Sequence, residues 1–380
     1  MRFGVTILGL AAVFAVLWLM WPSSINPVYW DEPEPPAMAG PLAPNAALDT
    51  ARFVNVGVSG AARSIALGPD GALYYGNLTG EVVRIDPAQA STPGTVIADF
   101  DTAPVLGLSW INAGTLGATT ANGLFAVNTI TGSSTQVSAG VPGYPFGYAN
   151  DLAVTPNGEI YFTDSSVMLG NDPDRNSHRD DMLENRPHGA LYVWDPRTHQ
   201  TRLAADRLYF PNGLAVASDR QSIYIAETFR YRILRYWVDG PRRGESEVFV
   251  ENLPGLPDGL ATDGSGHLFI AFPAQRDPTL RTIRRNPWLA RIVSRLPRWV
   301  QPTGGRPNAF IAVINEQDGT IISSLHGTHS QLCHISNMTL SVDQELWFGS
   351  ADCGYIAQLP QAAVQAGLRA TAPPRTGGTD

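Results

Sequence analysis

The chain has 380 residues, of which 44% are hydrophobic, which is enough for one large domain with a well-buried core. Its 37 glycines and 30 prolines suit a turn-rich β fold. The formal net charge of −8 argues against nucleic acid as a partner.

The chain begins with an apolar run from Phe3 to Trp21 that contains no charge and is near the length needed to cross a bilayer. Arg2 precedes the run and no Lys or Arg follows until Arg52, which favours an N-terminus inside and the rest on the extracytoplasmic side. A cleaved signal peptide is the alternative, but the run is long for one and no Ala-x-Ala site follows it cleanly. We therefore expect a single-pass signal-anchor over residues 1–22.

Residues 23–50 are rich in proline and predict an extended tether between the membrane and the next domain.

One strand–turn–strand unit recurs through residues 51–362. Its clearest copy runs from Gly147 to Ser166 and turns at Asn157-Gly158. Further copies lie at 63–75, 107–118, 212–227, 258–272 and 338–349. Spacings of roughly forty to sixty residues leave room for about four short strands per unit. The sequence thus predicts an all-β, six-bladed β-propeller, preceded by one transmembrane helix and followed by a disordered tail at 363–380.

Polar residues stand at one phase of the repeat, about eleven or twelve positions before the aromatic residues of the second strand. Three copies carry Asn150, Asn212 and Asp258 there, and the first copy carries Arg63. The innermost strands of a propeller converge on a central channel, so these side chains should meet. Two carboxamides and a carboxylate are hard oxygen ligands of the kind that calcium takes. Asn and Asp also cap turns, which is the alternative interpretation.

Over roughly residues 26–360 the chain resembles the strictosidine synthase-like and adipocyte plasma membrane-associated protein-like group. This group shares a six-bladed calcium-dependent phosphotriesterase fold with the gluconolactonases and paraoxonases. The matching segments are Tyr148-Ala149-Asn150-Asp151-Leu152, Tyr161-Phe162-Thr163-Asp164-Ser165-Ser166, Phe210-Pro211-Asn212-Gly213, Ala226-Glu227-Thr228, Arg232-Ile233-Leu234-Arg235-Tyr236-Trp237 and Leu253-Pro254-Gly255-Leu256-Pro257-Asp258. The proline-rich lead-in also resembles the juxtamembrane segment of animal members that are membrane-anchored. The resemblance implies calcium as a cofactor.

Three positions depart from these relatives. Metal-dependent members have a Glu where this chain has Arg63, whose charge would oppose a divalent cation; Arg63 could instead bind an anionic ligand or pair with Asp258. The acid that matches Asp151 helps to hold a second calcium in paraoxonase-like members, but its companion is Ser64 here, so we expect Asp151 to bond to backbone amides. Leu106 stands where paraoxonases have the first residue of a catalytic His pair, so that mechanism does not transfer.

The last copy also departs from the plant enzyme that gives the group its name. Strictosidine synthase uses a Glu in its final blade, whereas Asn337 follows His334-Ile335-Ser336 here. An amide cannot act as a general acid or base, so amine–aldehyde condensation is not expected.

The long segment from Gln275 to Gln301 carries seven arginines interleaved with apolar residues. After Pro287 the apolar residues recur at helical spacing, which predicts a helix over 287–299 with one apolar and one basic face. Three interpretations remain open: a lid over the channel, a helix that lies on anionic lipid, or a helix packed on the propeller with a solvated basic face.

Both cysteines, Cys333 and Cys353, flank the strand pair of the last copy. In an oxidising compartment we expect them to form a disulfide, with two free thiols as the alternative.

For function, the sequence favours a calcium-assisted hydrolase of a small ester or lactone bound in the propeller channel, with Asn150, Asn212 and Asp258 as metal ligands. Arg63, Asp151 and Asn337 are further candidates for the pocket, and no residue is assigned as catalytic base. The alternative is a non-catalytic module that binds a small ligand, lipid or protein.

Overall fold

The structure, a computed structural model, describes residues 23–54, 62–89, 94–101, 103–142, 144–168, 177–302, 305–329, 331–350 and 353–370. Within these residues, six four-stranded antiparallel sheets form a ring in which the innermost strand of each sheet contacts the innermost strand of the next. The six-bladed all-β propeller is therefore confirmed. The predicted membrane anchor lies outside the described residues, and no helix among those described is long and apolar enough to cross a bilayer.

Each blade is numbered along the chain, with its strands given from the innermost outward. Blades 1 to 3 comprise Ala62–Leu67, Leu73–Asn77, Glu81–Ile85 and Thr95–Asp99; Val105–Asn112, Thr115–Thr120, Gly123–Asn128 and Ser134–Ser138; and Ala149–Val154, Ile160–Asp164, Gly189–Asp195 and Gln200–Leu208. Blades 4 to 6 comprise Pro211–Val216, Ser222–Glu227, Arg232–Trp237 and Ser246–Val250; Leu260–Thr262, His267–Arg276, Gly305–Asn315 and Ile321–His326; and Asn337–Leu340, Leu346–Gly349, Ile356–Leu359 and Arg52–Val54. A short ribbon pairs Gly140–Val141 with Tyr144–Pro145.

The ring is closed by the N-terminal strand of the domain. Arg52–Val54 pairs antiparallel with Ile356–Leu359 and so becomes the outermost strand of blade 6. Because this strand and its partner lie about 300 positions apart in the sequence, their pairing ties the two ends of the domain together.

Small residues on the innermost strands face aromatic residues on the second strands. The opposed pairs are Ala66 with Tyr74, Ala153 with Tyr161, Ala215 with Tyr224 and Ala261 with Phe269. All eight residues are buried. The small alanine side chain leaves room for the aromatic ring on the neighbouring strand, and the same pair recurs in four blades.

The innermost strands all run in the same direction along the channel, and the second strand of each blade returns to the end where the first one started. Two long connections follow the second strands of blades 3 and 5, so both lie at that end. They contain helix α1 (Ser177–Glu184), helix α2 (Pro278–Arg284), helix α3 (Pro287–Val293) and a 3-10 turn at Arg298–Val300. We call these elements, together with residues 23–34, the cap.

The predicted tether at residues 23–50 is not a free spacer in this structure. Ile25, Leu42 and Leu48 are buried in the hydrophobic core, and Val28 donates a backbone hydrogen bond to Glu184 at 3.0 Å. The segment is extended apart from two 3-10 turns, Gly40–Leu42 and Ala47–Thr50. Its apolar side chains recur too irregularly to reveal this packing in the sequence.

The predicted disordered tail is wrong at its start. Helix α4 (Gln361–Ala370) buries Val364 against blades 5 and 6, and the Ser323 hydroxyl donates to the Gly367 carbonyl at 2.7 Å. Residues 371–380 lie outside the described part of the chain. Cys333 and Cys353 form a disulfide with their Cα atoms 6.4 Å apart, within the usual range for such a bridge.

The predicted helix over residues 287–299 is also shorter than expected. Helix α3 ends at Val293, and tight turns lead to Pro297, which starts the 3-10 turn Arg298–Val300. Proline has no backbone N–H and disfavours helical geometry in the residue before it, which explains the break.

Candidate functional site

A small cavity lies on the propeller axis at the cap end of the innermost strands. Its volume is about 10 Å³, close to the size that holds one water molecule or one ion. The residues lining it are Arg63, Leu106, Asn150, Asp151, Asn212, Gly213, Asp258, Gly259, Ser336 and Asn337. The four polar residues predicted at the shared phase of the repeat therefore do come together.

Every blade contributes one axial residue, and blades 3 to 6 also contribute the residue that follows it. The axial series is Arg63, Leu106, Asn150, Asn212, Asp258 and Ser336, in blade order. Ser336 was not among the predicted axial residues, although eleven positions separate it from Trp347, just as eleven separate Asn150 from Tyr161. Asn337 belongs to the following series, together with Asp151.

The two axial carboxamides are oriented by hydroxyl groups. The Asn150 Nδ2 donates to the Ser165 hydroxyl at 2.9 Å, and the Asn212 Nδ2 donates to the Thr228 hydroxyl at 3.4 Å. These bonds engage the nitrogen of each amide, so its oxygen is the atom that remains for a ligand in the cavity that the two side chains line.

The same hydroxyls bind each blade to the next. Ser165 donates to the Pro211 carbonyl at 2.7 Å, and Thr228 donates to the Pro257 carbonyl at 2.8 Å. Thr163 repeats the pattern and donates to the Asn212 carbonyl at 2.8 Å. The backbone that carries the axial residues is thus fixed by the second strand of the preceding blade.

The position after each axial residue controls how closely neighbouring blades approach. A Cβ atom on Gly213 would stand 2.2 Å from the Asp258 carbonyl oxygen, and one on Gly259 would stand 2.8 Å from the Asn337 Cα. Only glycine fits such distances. These two glycines let the innermost strands of blades 4, 5 and 6 pack backbone to backbone.

Asp151 and Asn337 occupy that position where a side chain does fit, and both bridge two blades. Asp151 accepts from its neighbour Leu152 at 2.9 Å and from Leu214 of blade 4 at 2.8 Å. The Oδ1 of Asn337 accepts from the backbone of Ile65 in blade 1 at 3.3 Å. The expected bonding of Asp151 to backbone amides is what the structure has.

Asp151 is buried, and this burial raises the pKa of its carboxyl to about 7 in spite of the two backbone N–H groups that lower it. Asp258 raises the pKa further through like charge, whereas Arg63 lowers it. The charges at the axis are therefore close enough to influence one another.

A wider cleft of about 240 Å³ continues along the channel toward the opposite end of the ring. Asp151 and Asn337 line both the cavity and this cleft. The cleft has room for a small molecule.

The resemblance seen in the sequence is confirmed by comparison with protein families. Residues 65–285 match the family described as SMP-30/Gluconolactonase/LRE-like region, and residues 40–85 match the strictosidine synthase-like N-terminal family. Protein STRICTOSIDINE SYNTHASE-LIKE 13 from Arabidopsis thaliana is 31% identical over 63% of this chain and 56% of its own length. The adipocyte plasma membrane-associated protein of Salmo salar is 30% identical over 95% of this chain and 89% of its own. This chain thus spans a little more than half of the plant relative and most of the fish relative.

Solved structures share the fold at low sequence identity. A gluconolactonase from Xanthomonas campestris superposes with a TM-score of 0.59 at 19% identity and covers 89% of this chain and 99% of its own. Regucalcin from Agrobacterium tumefaciens, described as a calcium-binding protein, has a TM-score of 0.57 at 16% identity, with 81% and 92% covered. At these identities the likeness establishes the propeller fold only.

Proposed function

Because the chain belongs to the SMP-30/gluconolactonase/LRE-like family, we propose that it hydrolyses a small ester or lactone at the propeller axis with the help of a bound divalent cation. The observation that carries this proposal is the convergence of Asn150, Asn212 and Asp258 on one ion-sized cavity. One structural neighbour, from Xanthomonas campestris, is described as a gluconolactonase.

The axial residues fit calcium in their donor chemistry. Two amide oxygens and one carboxylate are hard oxygen ligands, and water can complete the six to eight that calcium prefers. Ser165 and Thr228 engage the amide nitrogens, so the oxygens are the atoms that remain for an ion. Arg63 lines the same cavity and lowers the affinity through its positive charge.

A cation at this site would polarise a carbonyl group and stabilise the oxyanion that forms when water attacks it. The chain's own residues then have separate tasks. Arg63 supplies positive charge for the carboxylate that hydrolysis releases, since guanidinium groups pair with carboxylates. Asp151 keeps blades 3 and 4 in register through its backbone bonds and is a positioning residue. The adjoining cleft receives the substrate.

Arg63 also favours a second candidate function, a module that binds a small anion without catalysis. A guanidinium on the axis, in a cavity that also contains neutral amides, suits a carboxylate or phosphate ligand. In that case an anion would bind with or without calcium, and no turnover would follow.

The hydrolase proposal is tested with the purified full chain, a panel of esters and lactones, and added calcium. We expect turnover that falls by at least about tenfold in Asn212→Ala, in keeping with the loss of an interaction that stabilises developing charge. Asp318→Ala, in an exposed turn remote from the axis, is the matched control and should retain full activity. Turnover that survives in Asn212→Ala and Asp258→Ala alike would reject the proposal.

We further propose that the chain is anchored in a membrane with the propeller outside. The apolar run before residue 22, the disulfide and the membrane association named in the animal relatives support this arrangement.

A further inference from the structure

Large aromatic side chains are exposed on the cap. Trp288 at the start of α3 is 62% exposed, Trp299 in the following 3-10 turn is 87% exposed, and Tyr29 in the N-terminal segment is 63% exposed. Val300 adds a further apolar side chain beside Trp299, at 48% exposure. Tryptophan is usually well buried, so two on one group of elements suggest a surface that another phase covers.

The chain enters the structure beside these residues. The Ser23 hydroxyl lies 3.4 Å from the Ser294 hydroxyl, directly after α3, and Arg291 of α3 bonds to the Asn26 side chain at 3.4 Å. The apolar run in the sequence ends at Trp21. Ser23 is the first described residue after this run, and the Gln301 side chain bonds to the Ser294 carbonyl at 3.2 Å, so the described chain begins near the turn that carries Trp299.

The N-terminal segment is also held firmly at this place. Asn26 donates its backbone N–H to Glu184 at 2.7 Å, and Trp30 donates to the Arg284 carbonyl at 3.2 Å. Glu32 is 1% exposed and forms an ion pair with the fully buried Arg284 at 3.2 Å. An anchor leaving from Ser23 would therefore hold the propeller in a defined orientation, with the cap toward the bilayer.

The arginines of the cap do not form the free basic face that the sequence suggested. Four of them have carboxylate partners: Arg281 with Glu34, Arg284 with Glu32, Arg285 with Asp31 and Arg298 with Asp180. Most of their charge is balanced within the cap. The affinity of this face for lipid must then come from its aromatic side chains, which favour the headgroup region of a bilayer.

From these observations we infer that the cap is a membrane-docking surface in which Trp288, Trp299 and Tyr29 enter the lipid interface. The inference rests on the proposed anchor but adds a second, separate contact with the bilayer. It places the cap end of the channel against the membrane and the opposite end in water.

The test uses the full chain reconstituted into vesicles of phosphatidylcholine with a minor fraction of phosphatidylglycerol. Trp299→Cys is labelled with a nitroxide, and collisions with oxygen and with a water-soluble nickel complex are compared. The native cysteines are joined in a disulfide and do not take the label. Ile130→Cys and Val342→Cys are the controls, because these exposed apolar residues, 88% and 96%, lie in turns at the opposite end of the ring.

We expect the label at position 299 to collide preferentially with oxygen, and the labels at 130 and 342 to collide preferentially with nickel. Trp288→Cys should behave like Trp299→Cys. Flotation with the vesicles reports the anchor separately. If the chain floats but position 299 is as aqueous as position 342, docking is overturned while the anchor stands. Failure to float overturns both the anchor and docking. Spin–spin broadening at position 299 without a preference for oxygen would show that a second copy of the chain, and not lipid, covers the cap, which also overturns docking.

Discussion

Asp181 in the cap gives a quantitative test of how burial acts on a charged group in this fold. The residue lies in α1, is 1% exposed, and one of its carboxylate oxygens has no hydrogen-bond partner among the described residues. Burial raises its pKa from the ordinary 3.8 to about 7; a hydrogen bond from Ser166 and the charge of Arg284 act in the opposite direction, and Glu184 adds like charge. At 1.36 kcal/mol per pH unit, this pKa shift corresponds to a loss of roughly 4 kcal/mol of stability when the carboxyl is ionised.

The sign follows from the raised pKa. Below pH 3.8 the carboxyl is protonated in both the folded and the unfolded chain. Its contribution to the free energy of unfolding is therefore most favourable in that range. As the pH rises to 7 the unfolded chain releases the proton more readily, and stability is lost until the folded group has titrated. Replacing Asp181 by Asn removes this dependence while keeping the shape.

The measurement is urea unfolding of Asp181→Asn and of the parent, both in a form that begins at Ser23, at pH 5 and at pH 8.5. We expect the free energy of unfolding of the variant, relative to that of the parent, to rise by about 2–3 kcal/mol from pH 5 to pH 8.5. Asp318→Asn, at an exposed turn, is the control and should show no such gain. An equal free-energy difference between variant and parent at both pH values would refute the reasoning.

Three further predictions follow from buried charges and from the axis. Glu32→Ala leaves Arg284 buried without its carboxylate, so it should destabilise the cap by about 3–5 kcal/mol and speed hydrogen exchange in residues 23–34; Glu34→Ala, whose side chain is 76% exposed, should change exchange little. Arg63→Glu adds negative charge to the axial cavity and should raise calcium affinity at least about tenfold by titration calorimetry; unchanged affinity would mean that Arg63 does not oppose the ion. Gly213→Ala places a methyl group against the Asp258 carbonyl and should lower the thermal midpoint, whereas Gly264→Ala, which meets no atom, should cost only the strain of its positive φ.

The ring and its axial residues could be predicted because their signals are local. Strand alternation, the turn at Asn157-Gly158 and the count of eleven positions from Asn150 to Tyr161 are all contained within single repeats. The same count applied back from Trp347 identifies Ser336, so this axial residue could also have been predicted from the sequence.

The cap could not be predicted in the same way. Glu32 and Arg284 are 252 positions apart, and no local pattern in the sequence indicates that they pair. The sequence therefore predicted a helix with one basic face, for which three interpretations stayed open, and an extended tether in the proline-rich segment. Both predictions lack the same feature, since the segment and the arginines neutralise each other only in the folded chain.

The proposed hydrolase function depends on a cation site formed by Asn150, Asn212 and Asp258. Calcium titration calorimetry on the full chain, with elemental analysis after mild dialysis, tests it most directly. We predict one calcium per chain, with binding lost in Asn212→Ala and strengthened in Arg63→Glu. No binding at about millimolar calcium, the weak end of the range for protein sites, would contradict it and point to an anion held by Arg63.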